Sequence, residues 1–261
     1  MRSMSKWLPV IAGMVVIVAV LIAAGGDEHR PSAAGSPAVT VVELFTSQGC
    51  SSCPPADRLL SEIAGHQAGR VIPLAYHVDY WNRLGWTDPF SSAEWSRRQQ
   101  AYAAAFHSEQ VYTPQAVING ATEVVGSNSS AVDRAIGTAS RESNSYSVTL
   151  AVHPQSDGVR LNVSTGARSP VTRPALQVLV AVAESGISTN VKRGENSGRE
   201  LQNDHIVRRL VPVGTTRNGE KFEGSVLIKI LPEWNRRNLE FVALLQDPQS
   251  MHIYGAAEAT E

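Results

Sequence analysis

The chain has 261 residues, 43% of them hydrophobic, and a formal charge of −1 at pH 7. That length supports two domains whose cores need no covalent staple. The near balance of charge excludes a general electrostatic attraction to nucleic acid or to acidic lipid, and Arg208-Arg209 and Arg236-Arg237 read as solvated faces.

Arg2 and Lys6 precede an uncharged apolar run at residues 7–24. As a helix the run would measure about 27 Å. Positive residues ahead of it place that end in the cytoplasm, so the rest of the chain is expected to be extracytoplasmic, periplasmic or secreted. Residues 1–24 read as a signal peptide or as an N-terminal membrane anchor, and both alternatives stay open, since Ala24 and Ala34 each suit a cleavage site. Residues 25–37, rich in Gly, Pro, Ser and Ala, read as a flexible linker.

The run "AVTVVELF" predicts a strand buried on both faces, of the kind found inside a parallel sheet. After "TSQGCSSC", Pro54 and Pro55 suit the first turn of a helix, Leu59, Leu60 and Ile63 form its stripe, and Gly65 is its expected stop. "RVIPLAYHVDYW" predicts a second strand, parallel to the first. Ser91 with Glu94 marks a capping box and opens a helix to Phe106. "TPQAVINGATEVVG" predicts a hairpin turning at Asn119-Gly120, and Ser130 with Asp133 opens a third helix. The order is β-α-β-α-β-β-α over residues 38–143.

Beyond Tyr146 the pattern changes to alternation: Tyr146, Val148, Leu150 and Val152, then Val159, Leu161 and Val163. Further strand-like runs are "ALQVLVAV", "HIVRRLVPV", "GSVLIKIL", "LEFVALL" and "MHIY". Seven short strands predict an antiparallel β-sandwich domain over residues 146–256.

Cys50 and Cys53 are the two cysteines of the chain. They leave the first strand at the carboxyl edge of the sheet, where ligands and chemistry collect in α/β folds. Three readings apply. As a redox pair, Cys50 at a helix N-terminus would be the nucleophile, its thiolate favoured by unpaired backbone N–H groups and the helix dipole, and Cys53 would resolve the mixed disulfide. As a metal site, the pair with His77 or His107 could carry copper(I). As an inert bridge, it would serve an interaction module whose sandwich binds a partner. His77, Asp79, Tyr80 and Trp81, with Trp86, could line a groove beside Cys50, and Tyr80 and Trp81 are candidate substrate contacts. The loop "RGENSGREL" reads as an inter-strand turn or as a wall reaching the cysteine edge.

The C-x-x-C at the first helix, the element order and the X-Pro before the third strand together resemble the thioredoxin superfamily. The stretches "VVELFTSQGCSSCPPAD", "YHVDYWNRLGWTDPF", "YTPQAVING" and "RGENSGRELQNDHIVRRL" are similar to the secreted thioredoxin-like family called domain of unknown function 1223. The resemblance implies a thioredoxin-like domain at the front of the chain, with Thr113-Pro114 as a cis-proline site that presents backbone to a substrate's extended chain. It also implies Glu43 as a buried proton relay to Cys53. The expected activity is thiol-disulfide exchange on a protein or small-molecule substrate. No organic cofactor and no resident metal are expected, because electrons move through the cysteines.

Overall fold

The computed structural model describes residues 39–142, 145–169 and 175–261. The apolar run and the linker lie outside the described residues. Among the described residues no helix is long and apolar enough to cross a membrane.

β1 (Thr40–Thr46) is buried at every position, and β2 (Val71–His77) pairs with it in parallel from Thr40↔Val71 to Thr46↔His77. Between them α1 (Pro54–His66) buries Ala56, Leu60 and Ile63. It runs through Gly65, the expected stop, and ends at His66, with Gln67 as its C-cap. α2 (Ala93–Ala105), the hairpin of β3 (Gln115–Ile118) and β4 (Thr122–Val125), and α3 (Ser129–Ala139) complete the β-α-β-α-β-β-α order.

Two helix starts differ from expectation. Ser92 caps α2 by accepting from the Glu94 N–H, because the Ser91 hydroxyl is already donated to the Asp88 carbonyl. Asn128 caps α3 through the Ala131 N–H, ahead of Ser130. At the hairpin tip Asn119 and Gly120 have φ of 48° and 63°, and a Cβ on Gly120 would collide with the Met251 carbonyl.

The remaining strands are β5 (Tyr146–Pro154), β6 (Gly158–Ala167), β7 (Leu176–Glu184), β8 (Ile187–Asn190), β9 (Glu200–Asn203), β10 (Ile206–Thr216), β11 (Phe222–Lys229), β12 (Leu239–Gln246) and β13 (Ile253–Ala259). They do not all form a sandwich of their own. β7, β10, β12 and β13 extend the first sheet into eight strands in the order β13-β12-β7-β10-β2-β1-β3-β4. The join is parallel, Ile206 opposite Ala75, with the Ala75 N–H donating to the His205 carbonyl at 2.8 Å. It satisfies the edge that β2 would otherwise leave open. β5, β6 and β11 form a separate antiparallel sheet, so the fold is mixed α/β with a large mixed sheet and a smaller antiparallel one.

Alternation along each strand assigns the faces of the large sheet. Val41, Phe45, Leu74 and Tyr76 share a core with Trp95 and Tyr102 of α2, and with Leu179, Ala181 and Val242 from the second half. Val42, Leu44 and Ala75 face α1 and α3. Val178, Val180, Phe241 and Leu245 pack with Val159, Leu161 and Ile228 of the smaller sheet.

Candidate functional site

Cys53 is the N-cap of α1, and a disulfide joins it to Cys50 with their Cα atoms 5.4 Å apart. The first two helical residues are Pro54 and Pro55, which have no N–H, and the Ala56 N–H is already bonded to the Cys53 carbonyl. The helix start therefore offers the Cys50 sulfur its dipole but not the free amides expected there.

Hydroxyls stand in their place. Thr113 Oγ1 and Ser52 Oγ each lie 3.3 Å from Cys50 Sγ, and Trp81 Nε1 donates to Thr113 Oγ1 at 2.8 Å. The chain Trp81–Thr113–Cys50 leaves the threonine oxygen satisfied as acceptor and its proton aimed at sulfur. Gly49 makes room for this approach, since a Cβ there would come within 3.2 Å of Trp81 Cβ. The Thr113-Pro114 bond is cis, and Gly126 donates its N–H to the Pro114 carbonyl at 2.9 Å. The structure thus brings Cys50, Cys53, Trp81, Thr113 and Pro114 together.

Tyr80 turns toward α2, donating to Gln99 Oε1 at 3.1 Å, and Asp79 accepts from the Ser96 hydroxyl of the same helix. Glu43 also faces α2. Its Oε1 takes the Arg98 Nε–H at 2.8 Å, and its Oε2 takes the Tyr102 hydroxyl. Burial first and the Glu43 charge second push the Tyr102 phenol well above its ordinary range, so this hydroxyl stays a donor. Glu43 lies on the face occupied by Val41 and Phe45, opposite the face that packs on α1. His107 is exposed after α2, and among the described residues no three His, Cys, Asp or Glu side chains converge in a metal-binding group.

The buried polar groups on the α1 face are different ones. Thr46 donates to Asp57 Oδ1 at 2.7 Å, and His77 Nδ1 sits 2.8 Å from Asp88 Oδ2. Burial pushes the Asp57 carboxyl up to about 6, against the opposing charge of His77. For His77 burial acts downward, but the charge and hydrogen bond of Asp88 outweigh it and hold the imidazole above its ordinary value. Asp88 is held below its ordinary value despite burial, by His77 and by the Gln48 and Phe90 amides. His77 Nε2 is buried without a partner among the described residues.

The second half of the chain reaches this edge. The hairpin β8–β9 carries residues 191–199 to the cysteine motif, closed at its neck by Val191 N–H to the Arg199 carbonyl and Gly198 N–H to the Val191 carbonyl. Buried Asn196 donates to the Gln48 and Cys50 carbonyls, both at 2.9 Å, and Glu195 Oε2 accepts the Ser51 N–H at 3.0 Å. Gln48 adds a bond to Asn203 Oδ1 and one from Trp86 Nε1. Both cysteines have 0% exposure.

A match to the family described as protein of unknown function (DUF1223) covers residues 41–246. The chain belongs to this family. Among solved structures, protein AGR_C_4864 from Agrobacterium tumefaciens is 31% identical over 85% of this chain and 95% of its own, with a TM-score of 0.68. HBP35 of Porphyromonas gingivalis shares the fold at 14% identity and a TM-score of 0.62, over 86% of this chain and 75% of its own. No curated protein matches. In this DUF1223 chain the sequence pattern does not single out Gln48, Asp57 and Asp88 as parts of the cysteine surroundings, whereas Asn196 belongs to the loop read either as an inter-strand turn or as a wall reaching the cysteine edge, and it takes the second role. All of them lie inside the stretches that carry the family resemblance, and that shared membership is the available signal.

Proposed function

We propose that this DUF1223 protein is an extracytoplasmic thiol-disulfide oxidoreductase whose front half is thioredoxin-like and whose smaller sheet, stacked on β7 and β12, forms a sandwich. The observation that carries the reading is the Cys50–Cys53 disulfide at the start of α1 with the Thr113 hydroxyl on Cys50 Sγ. A substrate thiolate attacks Cys50 Sγ, and the electron pair of the broken bond leaves on Cys53. A second thiolate then attacks the substrate sulfur of the mixed disulfide, and Cys50 departs as a thiolate. The substrate pair is oxidised, the protein pair reduced, and the two thiol protons pass to the cysteines. Thr113, Ser52 and the helix dipole favour the Cys50 thiolate. Asp57, one turn along α1 from its N-cap Cys53 and with its carboxyl raised to about 6 by burial, is our candidate for the proton-relay role that the resemblance gave to Glu43, which faces α2 instead. Tyr80 and Trp81 border the side from which a protein or small-molecule thiol would approach. The basic-flanked apolar run at residues 7–24 supports export, with cleavage or tethering decided by N-terminal sequencing of the mature protein.

One observation favours a second reading, an inert bridge in an interaction module: the complete burial of both sulfurs. Equilibration against glutathione separates the two. A potential in the range of about −120 to −270 mV supports exchange, and one below about −300 mV supports the bridge.

A further inference from the structure

A disulfide that exchanges must be reached, and this one has no exposed surface. The cover over it is not uniform. On one side lie residues 191–199, attached to the cysteine motif at two points. Asn196, itself fully buried, clips the Gln48 and Cys50 carbonyls, with its Oδ1 held by Arg199 Nη1 at 2.9 Å. Glu195, exposed, latches the Ser51 N–H. Gly194 and Gly198 flank both contacts with φ of 75° and 81°, and Gly194 packs where a Cβ would come within 3.1 Å of Trp86 Cβ. Beside Cys50 Sγ, Thr113 and its neighbours Val111 and Tyr112 remain partly exposed.

Resting on the oxidoreductase reading above, we propose that Glu195 and Asn196 are specificity-determining residues. They hold residues 191–199 over the disulfide, so that only a thiol on a slender carrier, a small molecule or an extended unfolded segment, can enter along the Thr113 side and reach Cys50 Sγ. A cysteine set in a folded surface is excluded until the clip opens. The step selected is the attack itself: a sulfur–sulfur bond forms to Cys50 as the Cys50–Cys53 bond breaks, the electron pair leaving on Cys53.

The test uses the full oxidised chain and three reductants: dithiothreitol, an unstructured peptide with one cysteine, and a folded protein with one surface cysteine. Quenching with an alkylating agent and weighing the products gives the attack rate. The native chain is expected to react with the first two at least about tenfold faster than with the third, after correction for intrinsic thiol reactivity. Asn196→Ala, which loses two buried hydrogen bonds, is expected to react with the folded thiol about tenfold faster and to narrow that preference. Glu195→Ala, at an exposed position, is expected to move the same ratio about threefold. Unchanged ratios in folded variants would overturn the proposal. Should Asn196→Ala fail to fold, Glu195→Ala and hydrogen exchange decide. The Ser51 amide and the amides of residues 191–199 are expected to exchange together, and independent exchange overturns the idea. A pair too reducing for exchange would remove the oxidoreductase reading while leaving these rate ratios intact, so the two fail separately.

Discussion

In the proposed function, Thr113 is the residue on which the chemistry of Cys50 most directly depends, because its hydroxyl is the donor aimed at the sulfur and is itself oriented by Trp81. A hydrogen bond to a charged acceptor contributes about 1.5–3 kcal/mol. Thr113→Val is therefore expected to raise the Cys50 pKa in the reduced protein by about one unit or more, with Thr113→Ser restoring it. Thiolate absorbance through a pH titration checks this, and an unchanged pKa would remove Thr113 from the mechanism. Asp57 carries a second prediction. Its folded carboxyl is raised from 3.8 to about 6, so it binds a proton more tightly folded than unfolded. Its contribution favours folding below about pH 4 and is lost as the pH rises through about 6, a difference of about 3 kcal/mol. Asp57→Asn keeps an acceptor for Thr46 and lacks the charge. Its stability relative to the native chain should rise by about that amount between pH 4 and pH 7 in urea unfolding. A difference that stays flat or falls with pH would contradict the burial argument. Glu43 enters the sequence reading as a buried relay only through the thioredoxin resemblance, and the face it occupies follows from strand alternation: odd-numbered positions of β1 face α2, and the cysteine helix packs on the even ones.

At the scale of elements, local pattern is enough for the first half. Strands buried on both faces, helix stripes and the Asn119-Gly120 tip are written in short windows, and the structure has them where the pattern puts them. Caps differ by one or two residues because adjacent serines and asparagines compete, and the choice between Ser91 and Ser92 depends on which partner the Asp88 carbonyl finds in the fold. β8 and β9 have no clear sequence signal, since four-residue strands with polar alternation resemble a loop until they pair. Two glycines separate the roles that sequence alone confuses. Gly65 lies in α1, where a side-chain methyl would meet nothing within 4 Å, whereas Gly120 has positive φ and backs onto a carbonyl. Gly65→Ala is expected to stabilise by about 0.5–1 kcal/mol. Gly120→Ala is expected to destabilise by about 2 kcal/mol or more. Thermal unfolding of the two variants checks both signs.

The molecule as a whole is bound together by a join that no window of sequence displays. β10 pairs with β2, and the core beneath Tyr76 and Leu74 includes Leu179, Ala181 and Val242. The sequence pattern suggests a domain ending near residue 143, because the change from helices to alternating strands is real; what it does not show is which edge those strands seek. A fragment of residues 38–143 leaves β2 with an open edge and half of that core without its partners. It is expected to bind a hydrophobic dye and to lack a sharp unfolding transition, and a cooperative fragment would show the second half to be dispensable for stability.

The position of β2 between β1 and β10 also sets an order of events. A cysteine pair three residues apart can oxidise as soon as both sulfurs emerge, but the strand that closes their sheet begins only at Ile206. On the proposed reading, the bond can thus form early and is housed late. Throughout that interval the outer edge of β2 is left without its partner strand.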